Sequence, residues 1–201
     1  MTMIFRLHLF LDRLLIFGAI AFAATATACG GASTAETEDV ESIEWNVAVC
    51  RAVQFNDSPR GISTDRSYTV GDTASVNERL MGVKPENLTF EWTVPAADGT
   101  IWLVAFESEP ILSEKVRVTE NNSIFSYGGN IQVAFKFSDV DRWATITRRN
   151  IGKRLAIFVN GRLMGAPQVN TPIESGSCSV TFPAEAMDDY LPNFDLENIG
   201  E

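Results

Sequence analysis

IQVAFKFSDVDRWATITRRNIGKRLAIFVNGRLMGAPQVNTPIESGSCSVTF, residues 131–182, is the stretch that decides the fold. Ile131, Val133, Phe135 and Phe137 fall on alternate positions, the period of a strand with one buried face. Ser138 offers a helix N-cap, and Asp139 and Asp141 place carboxylates in the first turn, where the helix dipole favours them. Ser138-x-x-Asp141 reads as a capping box. Val140, Trp143, Ala144, Thr147 and Ile151 recur at helical spacing, so the pattern predicts a helix over about 139–151 with one face on a sheet. Arg148 and Arg149 suit its last turn, and Gly152 can supply a left-handed cap. Leu155 to Val159 is an unbroken apolar run, as in a strand covered on both faces. Asn160-Gly161 is a type I′ hairpin signal. Residues 162–166 then return antiparallel until Pro167 ends or edges the strand. Cys178, Val180 and Phe182 alternate in a further strand, and 183–191 can form a closing helix.

The stretch before it reads less sharply. Ile43, Trp45, Val47 and Val49 alternate with Glu44, Asn46, Ala48 and Cys50, which is strand periodicity. Residues 56–66 are rich in turn formers, 67–70 suit a short strand, and 78–83 suit one or two helical turns. Strands are expected at 88–94 and 100–106, joined by a turn over 95–99. Residues 119–130 read as a polar loop. The fold class is therefore α+β: a mixed, mainly antiparallel sheet with one main helix packed on it, in a single domain over 43–192. Residues 193–201 form an acidic tail.

Residues 1–28 have the layout of a signal peptide, with Arg6 and Arg13, an apolar run from Leu14 to Ala24, and Ala26-Thr27-Ala28 at the end. Cys29 follows directly, as in a lipoprotein, although Ala26 stands where leucine is usual. Lipid attachment at Cys29 is the expectation, and simple cleavage after Ala28 with release into the periplasm is the alternative. Residues 29–42 are small, polar and acidic, and read as a lipidated cysteine with a flexible tether. Of the three cysteines, Cys50 and Cys178 remain. They can close a disulfide in an oxidising compartment, or they can be two buried free thiols.

The formal net charge is −10, and removing the leader makes it one unit more negative. That surface disfavours nucleic acid and anionic headgroups. The one basic cluster, Arg148-Arg149 with Lys153-Arg154, reads either as helix-end charge compensation or as a docking patch. The single histidine is His8, inside the leader, so the remainder holds none for a catalytic triad or for metal ligation. Two cysteines alone make no zinc site. No P-loop or dinucleotide fingerprint occurs, and no cofactor or metal is expected. Asp139/Asp141 and Asp188/Asp189 are carboxylate pairs that sit where helix-start or exposed charges belong.

The stretch resembles the first periplasmic domain of the SecD protein-export subunit, in the region with the pattern T-x-x-N-x-G-K-x-L-A-I-x-x-D/N-G-x-x-x-x-P-x-V/I-x-x-x-I-x-x-G. The matching residues are Thr147, Asn150, Gly152, Lys153, Leu155, Ala156, Ile157, Asn160, Gly161, Pro167, Val169, Ile173 and Gly176. Residues 109–116 occupy the place of the segment that precedes this core in SecD. Glu174-Ser175-Gly176 replaces a common double glycine, and Thr181-Phe182-Pro183 a frequent Thr-Gly.

The resemblance implies a SecD-head-like fold and a role in engaging polypeptide outside the inner membrane. SecD itself carries several membrane helices, and no stretch after residue 28 approaches that length here. The expectation is a non-enzymatic envelope lipoprotein that faces the periplasm, with the outer membrane favoured because Gly30 follows Cys29. Its expected partner is a polypeptide or an export or envelope protein. The rival readings are a carboxylate-based envelope hydrolase and a purely structural lipoprotein.

Overall fold

The computed structural model describes residues 42–194 apart from 84, 86, 120–123 and 193. The leader, Cys29, the tether up to residue 41 and the tail from 195 lie outside the described residues. Along the chain run β1 (Ser42–Val53), β2 (Asn56–Asp57), β3 (Ile62–Ser63), β4 (Ser67–Thr69), α1 (Thr73–Leu80), β5 (Leu88–Trp92) and β6 (Thr100–Glu107). Then follow β7 (Leu112–Thr119), β8 (Ile124–Tyr127), β9 (Asn130–Lys136), α2 (Val140–Arg149), β10 (Arg154–Val159), β11 (Arg162–Gly165), β12 (Ser177–Pro183) and α3 (Met187–Tyr190).

β1 is the spine of the larger sheet, which runs β11-β10-β1-β6-β4, with β5 on β6 and β7 on β1. One edge of β1 pairs with β10, Val47 opposite Val159 through Ala52 opposite Arg154. The other edge pairs first with β7 and then, at Ala52 and Val53, with β6. A smaller sheet, β12-β9-β8, lies apart from it. Every strand pair among the described residues is antiparallel.

Period-two alternation sends the two faces of β1 into different cores. Trp45, Val47 and Val49 join Leu155, Ile157 and Val159 of β10 and meet Ile131, Val133 and Phe135 of β9 in the main core. Cys50, with Ala48 and Ala52, points the other way, into a cluster with Val104, Phe106, Ala156, Phe158 and Leu163. A third cluster, around Ile62, Tyr68, Val76, Ile101 and Leu103, packs α1 and the β2–β3 hairpin on the far end of β6. β10 is buried at five of its six positions, as an apolar run with covered faces requires.

Several expectations are corrected. The α+β class and the mainly antiparallel pairing stand, but the strands divide into a seven-stranded sheet, a three-stranded sheet and the β2–β3 pair. Within the expected polar loop, Ile124–Tyr127 is a strand paired to β9. Its hairpin turns on Gly128 and Gly129, with φ of 55° and 76°, the double positive φ of a type I′ turn. The N-cap of α2 is Asp139, which accepts from the Arg142 N–H at 2.9 Å, and not Ser138. The Ser138 N–H instead donates to Glu114. The helix stops at Arg149, which leaves Ile151 exposed. The domain also runs past 192, since Phe194 is buried in the main core.

Of the two readings of the remaining cysteines, a disulfide or two free thiols, the structure holds the second. Cys50 and Cys178 are free thiols, because their strands belong to different sheets and their side chains to different apolar clusters. Burial pushes the Cys178 thiol up to about 12. Burial, and then the Glu107 charge, also raises the Cys50 thiol.

Candidate functional site

Thr147, Asn150, Gly152, Lys153, Pro167, Val169, Ile173 and Gly176 of the sequence resemblance come together at one corner, and Asn160-Gly161 turns the hairpin at the other end of β10. Thr147 is fully buried; its hydroxyl lies 3.0 Å from the Trp143 carbonyl and accepts the Ile173 N–H at 2.9 Å. Asn150 donates its side-chain amide to the Ile146 carbonyl at 2.8 Å, and its own carbonyl takes the Lys153 N–H. Gly152, at φ 80°, turns the chain so that its N–H reaches the Val169 carbonyl. The Lys153 and Pro167 carbonyls accept from Val169 and Leu155. Asn160 and Gly161 have φ of 49° and 79°, the expected type I′ turn. The Asn160 backbone N–H and side-chain oxygen both bond to Asn46 of β1. At Gly176 a Cβ would sit 3.0 Å from Val140 Cγ2 and 3.3 Å from the Phe137 carbonyl. The corner thus clamps α2, β10 and the 166–176 loop through satisfied backbone groups.

The charged groups singled out in the sequence do not assemble into a centre. Asp139 caps α2 and Asp189 lies 3.4 Å from Arg162 on the surface. Arg148 pairs with Glu174 at 2.7 Å, both more than half exposed. Arg149 and Lys153 line an open hollow together with Arg51, Arg142, Glu109 and Asp141, so that face carries both signs. Among the described residues, no three or more His, Cys, Asp or Glu side chains are placed to hold a metal ion.

A groove of about 490 Å³ lies on the outer side of the same loop. One wall is Gly165–Gln168, the other is Val94–Ala96 with Trp102, and Val104, Met164 and Val180 lie between them. Trp102 is 40 % exposed there. A second hollow of about 390 Å³ shares Thr64, Val104, Arg154, Ala166 and Gln168 and continues the groove towards Lys153 and Asp65.

The register leaves the loop wall half-bonded. The Leu155 N–H donates to Pro167 and the Val169 N–H to Lys153, so 167 and 169 face β10. Strand alternation then turns the peptide groups of Ala166 and Gln168 outward. Upstream, the outer side of β11 is already occupied: the Val94 N–H donates to the Leu163 carbonyl at 2.9 Å. Pro95 and the turn up to Gly99 then carry the chain away. Behind the groove, Glu91 stands opposite Val104 on β5, and burial raises its carboxyl above the ordinary range. Neither Trp102 nor Glu91 stands out in the sequence, because each sits at a regular position in an alternating strand.

Residues 93–187 match the family model described as SecDF, P1 head subdomain. The chain carries a SecD-head-like domain. The matched segment holds the whole corner and, apart from Thr64, the whole lining of the 490 Å³ groove. The SecD protein translocase subunit of Rickettsia conorii is 28 % identical over 116 residues, covering 57 % of this chain and 22 % of that protein. SecD of Rickettsia felis is 34 % identical over 67 residues, 32 % of this chain and 13 % of the relative. A crystal structure of SecDF in a super-membrane-facing form covers 70 % of this chain and 17 % of that one, at 18 % identity and a TM-score of 0.35. The chain therefore spans less than a quarter of the length of these SecD relatives. Among the described residues, no helix is long and apolar enough to cross a membrane.

Proposed function

We propose that this chain is a non-enzymatic cell-envelope lipoprotein whose SecD-head-like domain binds polypeptide, either a protein in transit or a protein of an export or envelope complex. The groove carries the reading: an apolar floor beside a strand edge whose outward peptide groups are unbonded among the described residues. An extended chain satisfies such an edge with its own backbone, and its alternate side chains fill the floor. The matched relatives are named as protein translocase subunits, which agrees with a polypeptide ligand. In this reading Cys29 takes the lipid and the small, polar residues after it tether the domain, facing the periplasm, with outer-membrane placement favoured by Gly30.

The experiment is photo-crosslinking of the full chain in a secreting bacterium. A benzophenone amino acid replaces Trp102 on the groove wall or, as a control, exposed Arg117 on β7. Polypeptide adducts are expected at 102 well above those at 117, and equal yields at both would overturn the proposal. Labelling with a palmitate analogue tests the anchor: the wild type should be marked and Cys29→Ser should not.

A further inference from the structure

The groove's chemistry narrows the class of peptide, given the polypeptide-binding reading above. We infer that it takes an extended segment bearing a carboxylate, added as a strand along Gly165–Gln168 with the carboxylate on Arg154.

Two observations carry this. The first is the edge. The Val94 N–H to Leu163 bond shows that the outer side of β11 already accepts an extended segment one step upstream. Pro95 then diverts that segment, and Ala166 and Gln168 are left facing the groove. Four residues of edge span about 13 Å at the rise of a β-strand, room for three or four residues of peptide. Alternate side chains would rest between Trp102 and Met164, and the others would face solvent.

The second observation is charge. The chain as a whole carries −10, so its long-range field favours basic ligands. The groove departs from that field. Among the described residues, Arg154 is the one charged residue lining the 490 Å³ groove, and Lys153 and Asp65 join it in the continuation. The Asp65 carboxylate is already engaged by the Gln54 amide. The Arg154 guanidinium, by contrast, has no carboxylate partner among the described residues, and its only hydrogen bond is a long one, 3.4 Å to the Thr64 carbonyl. Its remaining N–H groups form a planar fork suited to a carboxylate. Its position on β10, opposite Gln168, sets that fork beside the open edge.

The test uses the purified full chain and three blocked seven-residue valine–threonine peptides. One has a central glutamate, one a central lysine, and one is the glutamate peptide N-methylated on alternate amides. Calorimetry should show the glutamate peptide binding about fivefold more tightly than the lysine peptide, the scale of one partly exposed ion pair. N-methylation should abolish binding, and the amide resonances of Ala166 and Gln168 should shift only with the unmethylated peptides. Arg154→Gln should erase the preference for glutamate, and Arg154→Lys should restore part of it. Equal affinity for glutamate and lysine, an unchanged preference in Arg154→Gln, or undiminished binding of the N-methylated peptide would each overturn the inference while leaving polypeptide binding intact. If no peptide binds yet position 102 still crosslinks to polypeptide in cells, only this inference falls. If both fail, the functional proposal falls with it.

Discussion

The corner built by Thr147, Asn150, Gly152 and Gly176 and the groove wall at Gly165–Gln168 are two sides of one loop, and they are finished differently. On the corner side the loop's backbone bonds run inward to α2 and β10. On the groove side the peptide groups of Ala166 and Gln168 point outward, and a half-exposed tryptophan stands opposite. A satisfied corner is stable and inert, since a buried polar group that has its partner asks nothing of a ligand. An open edge is where a partner can gain. Thr147, Asn150 and Gly176, which this chain shares with the SecD pattern, are on the inert side, and Pro167, another shared residue, stands in the wall of the open one.

That contrast predicts how substitutions should sort. Corner substitutions should cost stability, and wherever the fold survives, crosslinking at position 102 should persist. The largest effect is expected at Trp143, which is 2 % exposed, packs its ring at a tilt of 46° against Phe137 and donates to the Ser177 carbonyl. Trp143→Ala should lose roughly 3–5 kcal/mol in chemical denaturation; a loss below about 1 kcal/mol would mean that α2 does not seal the core. Thr147→Val keeps the shape but strands the Ile173 N–H, and about 1–3 kcal/mol should go. A neutral result would show that water reaches that bond.

The two corner glycines sharpen the comparison further. Both have positive φ, which costs an alanine about 1 kcal/mol. Gly152 has open space around it, whereas Gly176 has Val140 and the Phe137 carbonyl within close contact. Gly176→Ala should therefore lower the melting temperature more than Gly152→Ala, and the reverse order would remove the close-packing argument at 176.

The smallest effect belongs to the groove side and has the opposite sign. Burial raises the Glu91 carboxyl in the folded chain, so its ionised form is a cost to folding. That cost is absent below the unfolded-state pKa and grows as pH rises through the folded one. Glu91→Gln should then stabilise the chain slightly at neutral pH, and the gain should vanish in acid. A gain that persists at low pH would have to come from packing instead of charge.

Legibility followed how local each signal was. Helix α2, β10 and the Asn160-Gly161 hairpin are encoded by neighbours in the chain: periodicity, an acidic first turn, positive-φ residues. The Gly128-Gly129 hairpin lies within 119–130, a stretch whose polar composition reads as a loop. The N-cap is Asp139 and not Ser138, whose N–H donates to Glu114 of β7, a contact that no local pattern announces. The cysteine pairing was illegible because two strands of like periodicity can enter either sheet, and nothing local says which.

By itself, the sequence determined the order of strands and helix over 131–182, the absence of histidine beyond the leader, and the resemblance to the SecD head, all of which depend on residue identity and short spacing. Only the tertiary structure decided that the strands divide among separate sheets and that Cys50 and Cys178 face different cores. It alone placed Arg154, Trp102 and the outward peptide groups of Ala166 and Gln168 around one groove. The physical reason is that strand pairing joins residues far apart in the chain. A strand's own alternation says that it has two faces, and its partners decide which face is buried and which edge stays open.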